Sequence, residues 1–375
     1  MKRHERLPDA YLAMEFDELN QRIGARRSEL GSRLCILGHH YQRDEIISHA
    51  DCVGDSLKLS QRAAGQREAE YIVFCGVHFM AESAAILCSP KQTVILPNMR
   101  AGCPMADMAR AADVHTAIEE ITSLSGDKVL PVTYVNSSAE VKAITGALGG
   151  SCCTSSNALD VFRWALDPCG GGAKKILMIP DEHLGRNTAA ALGYGDDACA
   201  TYDPSLLDGG LQEKDLARAT FLLWKGHCYV HQQFTTEQVI AARKRYQDVV
   251  VMIHPECTRQ VAALADLIGS TEQIIRAVSD AKPASHWVIG TETHLVRRLA
   301  KRHADRSIIC LSRGNPVCIQ MQQINLPHLL WALDVLANDG PANVVTVPEA
   351  FARKARIALR RMLDILPPTQ YAHAD

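Results

Sequence analysis

Short apolar segments alternate with longer polar and amphipathic segments along most of the chain. Runs such as Ile176–Pro180 and Val249–Ile253 have the length of a buried β-strand. The stretches between them have the spacing of helices. Strands that alternate with helices predict parallel sheets covered by helices on both faces. The pattern therefore predicts an α/β fold.

No apolar run approaches the roughly 20 residues that a membrane-spanning helix needs. The N-terminal segment, MKRHERLPDAYLAMEFDELNQRI, is charged and predicts an amphipathic helix. It lacks the apolar core and the small-residue cleavage site of a signal peptide. We therefore expect a cytoplasmic protein that does not contact a membrane.

The order of these segments repeats along the chain. One strand-like run ends at His39, and Ser56, at a predicted helix start, lies 17 positions later. Another run ends at His254, and Thr271, also at a predicted helix start, again lies 17 positions later. The repeated interval predicts two copies of one strand–helix unit.

A third copy lies between these two and contains insertions. Its first strand ends in Tyr134 and Asn136, and Ser155 takes the helix-start position 19 residues after Asn136. Residues 193–215 contain several glycines and aspartates and a proline, which predicts a surface insertion there.

The three copies predict three similar αβα domains with parallel sheets, related by pseudo-threefold symmetry around a central active site. The predicted ranges are 1–126 for the first repeat with an N-terminal helix, 127–246 for the second, 247–335 for the third, and 336–375 for a C-terminal helical closure. Because polar residues at the C-terminal ends of parallel strands face the ligand crevice, the strand-end residues of all copies are expected at that site.

The composition indicates a folded protein and argues against nucleic acid as a partner. Of the 375 residues, 47% are hydrophobic and 22% are charged, which is too apolar for a disordered chain. The 40 basic and 42 acidic residues give a formal charge of −2, so no excess of positive charge would attract nucleic acid.

Three of the 13 cysteines fall at matching places in the repeat. Cys103 lies 47 positions after Ser56, and Cys318 lies 47 positions after Thr271. Cys228 takes this place in the middle copy, where the interval is longer. No Cys-x-x-Cys pair occurs, so thiol ligands would have to converge from distant parts of the chain.

Three converging thiols predict a metal centre with one open coordination position. Thiolates bind both zinc and iron–sulfur clusters. The spacing therefore leaves three possibilities: a zinc ion that activates a water molecule, a [4Fe–4S] cluster with one free iron, or no metal.

The other repeat-matched residues suit a small, oxygen-rich anion. Hydroxyls at helix N-termini would offer donors to carboxylate or phosphate: Ser56, Ser155 and Thr271. His39, His231 and His254 can also donate hydrogen bonds. Glu256 can act as a base if its pKa is raised. His183 is a further candidate for orienting a substrate.

Residues 38–326 contain a series of distinctive segments: GHHYQ, ADCVGDSLKLS, CGVHFMAESAAIL, GCPMADM, VTYVNSSAEVKA, CCTSSNAL, IPDEHLGRN, WKGHCYVHQQF, IHPEC, IGSTEQI, IGTETHLV and CIQMQQINL. In this order they resemble the quinolinate synthase A family. The resemblance implies three αβα domains around a pseudo-threefold axis. It also implies a [4Fe–4S] cluster held by Cys103, Cys228 and Cys318, with one open iron as a Lewis acid.

The reaction implied by the resemblance belongs to NAD biosynthesis. Iminoaspartate condenses with dihydroxyacetone phosphate to give quinolinate, phosphate and two waters. Glu256 would be the general base, and Tyr41 would shuttle protons or gate closure. The implied catalytic residues are Tyr41, Tyr134, His231 and Glu256. The implied substrate-binding residues are His39, Ser56, Tyr134, Asn136, Ser155, His254 and Thr271.

Several alternatives remain open at this point. A residue one position away could replace Ser155, Ser270 could replace Thr271, and Cys310 or Cys257 could replace Cys318. Another open-iron hydro-lyase, a zinc-dependent hydrolase and a non-catalytic iron–sulfur sensor are the competing functions. L-aspartate oxidase, as the supplier of iminoaspartate, is a possible partner.

Overall fold

The computed structural model describes residues 7–365 and contains three separate β-sheets flanked by helices. Every strand pair within the sheets is parallel, which confirms the α/β prediction. The predicted N-terminal helix and C-terminal closure extend into residues 1–6 and 366–375, which lie outside the described residues.

The first sheet lies in the N-terminal third of the chain. Its strands are β1 (Leu34–His39), β2 (Cys52–Gly54), β3 (Tyr71–Cys75) and β4 (Thr93–Ile95). The helices here are α1 (Asp9–Leu12), α2 (Phe16–Leu30), α3 (Asp44–Ile47), α4 (Ser56–Gly65), α5 (His78–Leu87), α6 (Pro104–Asp107) and α7 (Ala111–Ser125). The strand order is β2-β1-β3-β4.

The second sheet has one strand more. Its strands are β5 (Val129–Tyr134), β6 (Ser151–Cys153), β7 (Lys175–Ile179), β8 (Cys199–Tyr202) and β9 (Phe221–Trp224). The helices are α8 (Ala139–Ala147), α9 (Ala158–Leu166), α10 (Glu182–Ala191), α11 (Glu213–Arg218) and α12 (Thr236–Arg245). The order is β6-β5-β7-β9-β8, so the predicted insertion supplies an edge strand as well as surface loops.

The third sheet has the strand order of the first. Its strands are β10 (Val250–Ile253), β11 (Leu267–Ile268), β12 (His286–Gly290) and β13 (Ser307–Cys310), in the order β11-β10-β12-β13. The helices are α13 (Arg259–Leu264), α14 (Thr271–Ser279), α15 (Thr293–Arg302), α16 (Leu326–Asn338) and α17 (Glu349–Asp364). Short 3₁₀ helices lie at Gly31–Arg33, Asp196–Ala198, Leu207–Gly210, His231–Gln233 and Met321–Gln323.

The same strand order therefore recurs in all three sheets once β8 is set aside. Strands β1, β5 and β7 are buried along their whole length, because helices cover both faces of a parallel sheet. This burial explains the continuous apolar runs in the sequence. The pseudo-threefold relation between the units and the domain boundaries stay predictions.

Helix α17 closes the second unit by packing closely on α8. A Cβ atom at Gly146 of α8 would lie 2.0 Å from the Lys354 carbonyl oxygen of α17, so only glycine permits this approach. Ala355 and Ala358 of α17 are fully buried, and the basic residues lie on the other faces of the helix. Within the described part of the chain, no helix combines the length and the apolar character needed to cross a lipid bilayer.

Candidate active site

A cavity is lined by residues from all three sheets and their connecting loops. Every residue that the sequence analysis assigned to binding, catalysis or metal ligation lines it. These residues are His39, Tyr41, Ser56, Cys103, Tyr134, Asn136, Ser155, Cys228, His231, His254, Glu256, Thr271 and Cys318. His183, the further candidate, is not among the lining residues.

The strand ends place two histidines of the cavity in equivalent positions. His39 is the last residue of β1, and His254 directly follows β10. The Tyr41 N–H donates to His39 Nδ1 at 3.1 Å, and the Glu256 N–H donates to His254 Nδ1 at 3.3 Å. Burial lowers the pKa of each histidine to about 3. Both rings are therefore neutral, with the proton on Nε2 as a donor.

One end of the cavity, which we call the hydroxyl end, contains Ser56, Ser155 and Thr271. Ser56 and Thr271 are the first residues of α4 and α14. Ser155 departs from this arrangement, because it lies in the turn before α9. That turn is closed by Asn157, whose side-chain oxygen accepts from the Thr154 N–H at 2.7 Å.

The lining of the hydroxyl end favours one of two alternatives from the sequence. Ser270 does not line the cavity; it caps α14, accepting from the Gln273 N–H at 3.4 Å. Thr271 lines the cavity instead. Nearby, the side-chain oxygen of Asn136 is buried and has no hydrogen-bond partner among the residues that the structure describes. An unpaired buried acceptor is costly, so this oxygen is suited to a donor on a ligand.

Another part of the cavity lining, which we call the thiol end, contains three cysteines in one repeated local geometry. Each cysteine carbonyl accepts a hydrogen bond from the N–H four residues later. The pairs are Cys103 with Asp107 at 3.3 Å, Cys228 with Gln232 at 3.0 Å and Cys318 with Gln322 at 3.2 Å. The same short turn thus presents a thiol from each part of the repeat.

Contacts between the loops hold the three cysteines near one another. The Trp224 indole N–H donates to the Met108 carbonyl at 2.9 Å, which joins the Cys228 loop to the Cys103 loop. The Tyr229 hydroxyl oxygen accepts from the Ile319 N–H at 2.7 Å, which joins the Cys228 loop to the Cys318 loop. These contacts bring the loops of all three cysteines together.

Burial raises the pKa of all three thiols, that of Cys103 to about 12. Neighbouring negative groups act in the same direction, while backbone N–H groups such as those of Ala106 and Met105 oppose it. The thiols are therefore uncharged on their own at neutral pH. A bound metal cation would supply the charge that stabilises three thiolates together.

The donor set bears on the two metal possibilities. The Cys228 thiol lies within 4.8 Å of ligand atoms of His231 and Glu256, so these three residues could together hold a single metal ion. The three cysteines are near enough for the charge on one sulfur to raise the pKa of another. Three thiols that line one cavity fit a cluster, whose ligands bind to different irons.

The alternative cysteines are held elsewhere. The Cys310 thiol donates to the Thr291 carbonyl at 3.8 Å, and the Cys257 thiol donates to the Gly290 carbonyl at 3.7 Å. Neither residue lines the cavity. The geometry therefore favours Cys318 over both alternatives.

A chain of polar contacts links the Thr271 hydroxyl to the Glu256 carboxylate. The Thr271 hydroxyl donates to the Tyr41 oxygen at 3.1 Å. The Tyr41 oxygen lies 2.9 Å from Thr291 Oγ1, which lies 3.1 Å from His231 Nε2. His231 Nδ1 lies 2.5 Å from a carboxylate oxygen of Glu256. Hydroxyl, imidazole and carboxylate in this order can move a proton over several ångströms.

The pKa of Glu256 is lowered, not raised as its predicted role required. Burial acts to raise it, but the adjacent His231 and His254 and a hydrogen bond from Tyr134 outweigh burial. Glu256 is therefore an ionised carboxylate at neutral pH, which accepts protons only weakly by itself. Its short contact with His231 makes it suited to orient that imidazole and to stabilise its protonated form.

Tyr41 is held in place by a residue that the sequence did not single out. Arg298 of α15 donates to the carbonyl of His40 at 2.8 Å and to the carbonyl of Gln42 at 2.6 Å. These two carbonyls flank Tyr41. Burial, together with the nearby Glu256 carboxylate, raises the Tyr41 pKa, so its hydroxyl stays protonated and able to donate.

Thr291, Tyr229 and Arg298 were all missed by sequence reasoning. Thr291 directly follows β12, where the other two copies have Gly76 and Pro180. Because the three copies have different residues at this position, the repeat did not indicate a role for Thr291. Tyr229 directly follows the predicted ligand Cys228, and this was the only feature of the sequence that pointed to it.

Comparisons with known proteins agree with the resemblance in the sequence. The model of the family described as "Quinolinate synthetase A protein" matches residues 21–364. The chain is 47% identical over 364 residues to a quinolinate synthase of Anoxybacillus flavithermus, covering 97% of this chain and 98% of the relative. It is 45% identical over 362 residues to a quinolinate synthase of Bacillus subtilis, covering 96% of this chain and 97% of the relative.

Proposed function

Because this chain belongs to the quinolinate synthetase A family, an enzyme family of NAD biosynthesis, we propose a specific reaction for its cavity. Iminoaspartate and dihydroxyacetone phosphate condense there to give quinolinate, phosphate and two waters. The observation that carries this proposal is a single cavity lined by three thiols and three oxyanion donors.

The proposed cofactor is a [4Fe–4S] cluster held by Cys103, Cys228 and Cys318. Three thiolates leave one iron without a protein ligand. When bound, such a cluster supplies a Lewis acid that assists the loss of hydroxide from the substrate. The presence of all three thiols in one cavity and the repeated turns support this assignment.

Several of the proposed substrate contacts are hydrogen-bond donors for anionic groups. The hydroxyls of Ser56, Ser155 and Thr271 would donate to carboxylate or phosphate oxygens, with help from the N-termini of α4 and α14. The neutral rings of His39 and His254 would donate from Nε2. These donors suit a pair of substrates that carry carboxylates and a phosphate.

Asn136 would recognise the opposite type of group. Its unpaired, buried side-chain oxygen accepts a hydrogen bond and cannot bind an anion. The hydroxyl of dihydroxyacetone phosphate and the nitrogen of iminoaspartate are the donors that the proposed substrates offer.

The proposed proton transfers use Tyr41, His231 and Glu256. Condensation, isomerisation and two dehydrations each require a proton to move. Tyr41 would exchange a proton with the substrate through its hydroxyl, and Thr291 would pass it to His231. Glu256 would stabilise the charged imidazole that results. Tyr134, which hydrogen-bonds Glu256, would hold that carboxylate in place.

The test is quinolinate formation by anaerobically reconstituted protein. Both substrates are supplied, with iminoaspartate generated freshly, and each is omitted in turn. We expect product only when both are present. A sample with a full four-iron cluster and no product would contradict the proposal and favour another open-iron hydro-lyase. A colourless, zinc-containing protein with hydrolase activity would favour the zinc alternative.

L-aspartate oxidase is the proposed source of iminoaspartate, which is unstable in water. A supplier that releases it beside this chain would limit its loss. Purification of the chain at physiological salt with no trace of the oxidase would contradict a stable complex between them.

A further inference from the structure

A hydrogen-bonded group at the hydroxyl end joins the three units of the structure. It consists of Asp55, Ser156 and Ser270, and we call it the Ser156 bridge. One residue comes from each unit, and Asp55 and Ser270 are buried. Asp55 and Ser270 take matching positions in their copies, but Ser156 follows its cavity serine instead of preceding it, so equal spacing does not mark the three residues as partners.

The geometry of the Ser156 bridge defines its donors. Ser156 Oγ lies 2.5 Å from a carboxylate oxygen of Asp55 and 2.8 Å from Ser270 Oγ. Each hydroxyl has one proton to donate. Ser156 therefore donates to the carboxylate and accepts from Ser270, which makes the Asp55 contact charge-assisted.

Both ends of the bridge are anchored to helices. The second oxygen of Asp55 accepts from the Lys58 N–H at 2.9 Å and caps α4. Ser270 caps α14, and its own N–H donates to the Gln273 side chain at 2.8 Å. A shift of the bridge would therefore move the first turns of both helices.

Each bridge residue is the chain neighbour of one hydroxyl that lines the cavity. The neighbouring pairs are Asp55 with Ser56, Ser156 with Ser155, and Ser270 with Thr271. Consecutive Cα atoms are fixed about 3.8 Å apart by the peptide bond. Contacts among the three bridge residues therefore restrict the distances among the three cavity hydroxyls.

We propose that the Ser156 bridge is a positioning device that sets the spacing of Ser56, Ser155 and Thr271 and so determines the affinity for the anionic group of the substrate. The identity of that group rests on the proposed function. Three donors on three separate units bind one oxyanion well only if their relative positions are fixed. Geometry of this kind is sensitive, since misplacing a group in an active site by about 1 Å can lower the rate about 100-fold.

The test compares Ser156→Ala with Ser156→Thr in the full-length, reconstituted protein. Alanine removes both bridge contacts, whereas threonine keeps a hydroxyl. Ser151→Ala is the matched control, because Ser151 is a buried serine of the same unit whose hydroxyl donates to the Cys152 carbonyl at 2.9 Å. The probe is inorganic phosphate, whose binding is measured by calorimetry beside KM and kcat for dihydroxyacetone phosphate.

We expect Ser156→Ala to weaken phosphate binding about 10-fold and to raise KM by a similar factor, with kcat changed less than about threefold. Ser156→Thr and Ser151→Ala should stay within about threefold of the wild type. Phosphate binding by Ser156→Ala within threefold of the wild type would overturn the proposal. Binding by Ser156→Thr as weak as that of Ser156→Ala, or no binding by the wild type, would also overturn it.

If Ser156→Ala does not fold, Ser270→Ala breaks the same bridge. Its control is Thr235→Ala, which removes an equivalent capping interaction from α12, where Thr235 accepts from the Gln238 N–H at 3.4 Å. Only the Ser270 variant should bind phosphate about 10-fold more weakly. Equal losses in both variants would overturn the proposal.

The outcomes separate this proposal from the proposed function. If the wild type forms quinolinate and Ser156→Ala binds phosphate normally, the proposed function is supported and the positioning role of the bridge is rejected. Weak phosphate binding by Ser156→Ala in a protein whose wild type makes no quinolinate would support the bridge and reject the function.

Discussion

The two ends of the cavity are built in different ways. The thiol end uses the same residue type and the same turn in each part of the repeat. The hydroxyl end uses a serine or threonine at two helix starts, and a serine in a turn before the third helix. The Ser156 bridge, in which only Asp55 and Ser270 take matching positions in the repeat, connects these positions.

This difference shows what a repeated sequence can and cannot specify. A turn that depends only on local backbone contacts can recur in each repeat together with its cysteine. Equal spacing in the sequence therefore identifies that cysteine. A contact between units involves different side chains on each unit, so spacing within a unit cannot reveal it. The following predictions treat the two ends as separable parts.

The largest effect is expected from Cys318→Ser at the thiol end. Loss of one thiolate should prevent stable cluster binding and reduce quinolinate formation by more than about 100-fold. Iron content and visible absorbance measure the cluster directly. Inorganic phosphate should still bind within about threefold of the wild type, because the hydroxyl end is unchanged.

The matched control for this prediction is Cys310→Ser. Cys310 also lies in the third unit, but its thiol contacts the Thr291 carbonyl and does not line the cavity. It should keep its iron and its activity. Iron loss from Cys310→Ser, with iron retained by Cys318→Ser, would assign the third ligand to Cys310.

The next largest effect is expected from Glu256→Gln. Glu256 belongs to neither the hydroxyl end nor the thiol end. The amide cannot stabilise a protonated His231, so kcat should fall by about 100-fold or more. Iron content and phosphate binding should stay normal. Glu120→Gln is the control, since Glu120 also accepts a tyrosine hydrogen bond, from Tyr202 at 2.6 Å. Unchanged kcat in Glu256→Gln would reject its role in proton transfer.

A smaller effect concerns stability at acid pH. The pKa of His39 is about 3 in the folded protein and about 6.5 when unfolded. Between these values the unfolded chain binds one proton more, so the free energy of unfolding falls as the pH decreases. From pH 8 to pH 5 this amounts to about 2 kcal/mol for His39.

Chemical denaturation across this pH range measures the effect. His39→Asn should reduce the loss of stability between pH 8 and pH 5 by about 2 kcal/mol. The control is His115→Asn, because His115 is exposed on α7. An identical pH dependence in His39→Asn and the wild type would show that His39 is not buried in its neutral form.

The smallest effect is expected from Arg298→Lys. Lysine keeps the charge but cannot bridge two carbonyls with a planar fork, so Tyr41 should be held less firmly. We expect kcat to fall about 10-fold while iron content and phosphate binding are kept. Arg306→Lys is the control, since Arg306 also donates to two carbonyls, those of Val278 and Ser279. Equal kcat values in both variants would contradict a positioning role for Arg298.

Much of the fold could be predicted from the sequence, because the central strands are buried on both faces. Strands β1, β5, β7 and β10 correspond to predicted apolar runs. The edge strands β2, β6 and β11 have only two or three residues and show no periodicity. Strand β8 lies in a segment whose turn residues predicted only a surface insertion.

Part of the site could also be predicted from the sequence. Matching spacing identified Cys103, Cys228 and Cys318, which line one cavity. Thr291 and Arg298 act through contacts with other units, and no local pattern encodes such contacts. The lowered pKa of Glu256 depends on His231, which lies in another part of the chain.

The most direct test of the proposed function measures quinolinate formation against iron content in one set of anaerobically reconstituted samples. Samples with graded iron content receive iminoaspartate and dihydroxyacetone phosphate under identical conditions. We expect the rate to rise with iron content and to approach its maximum near about four irons per chain, the composition of a [4Fe–4S] cluster. Quinolinate from iron-free protein, or none from protein with a complete cluster, would contradict the proposed function.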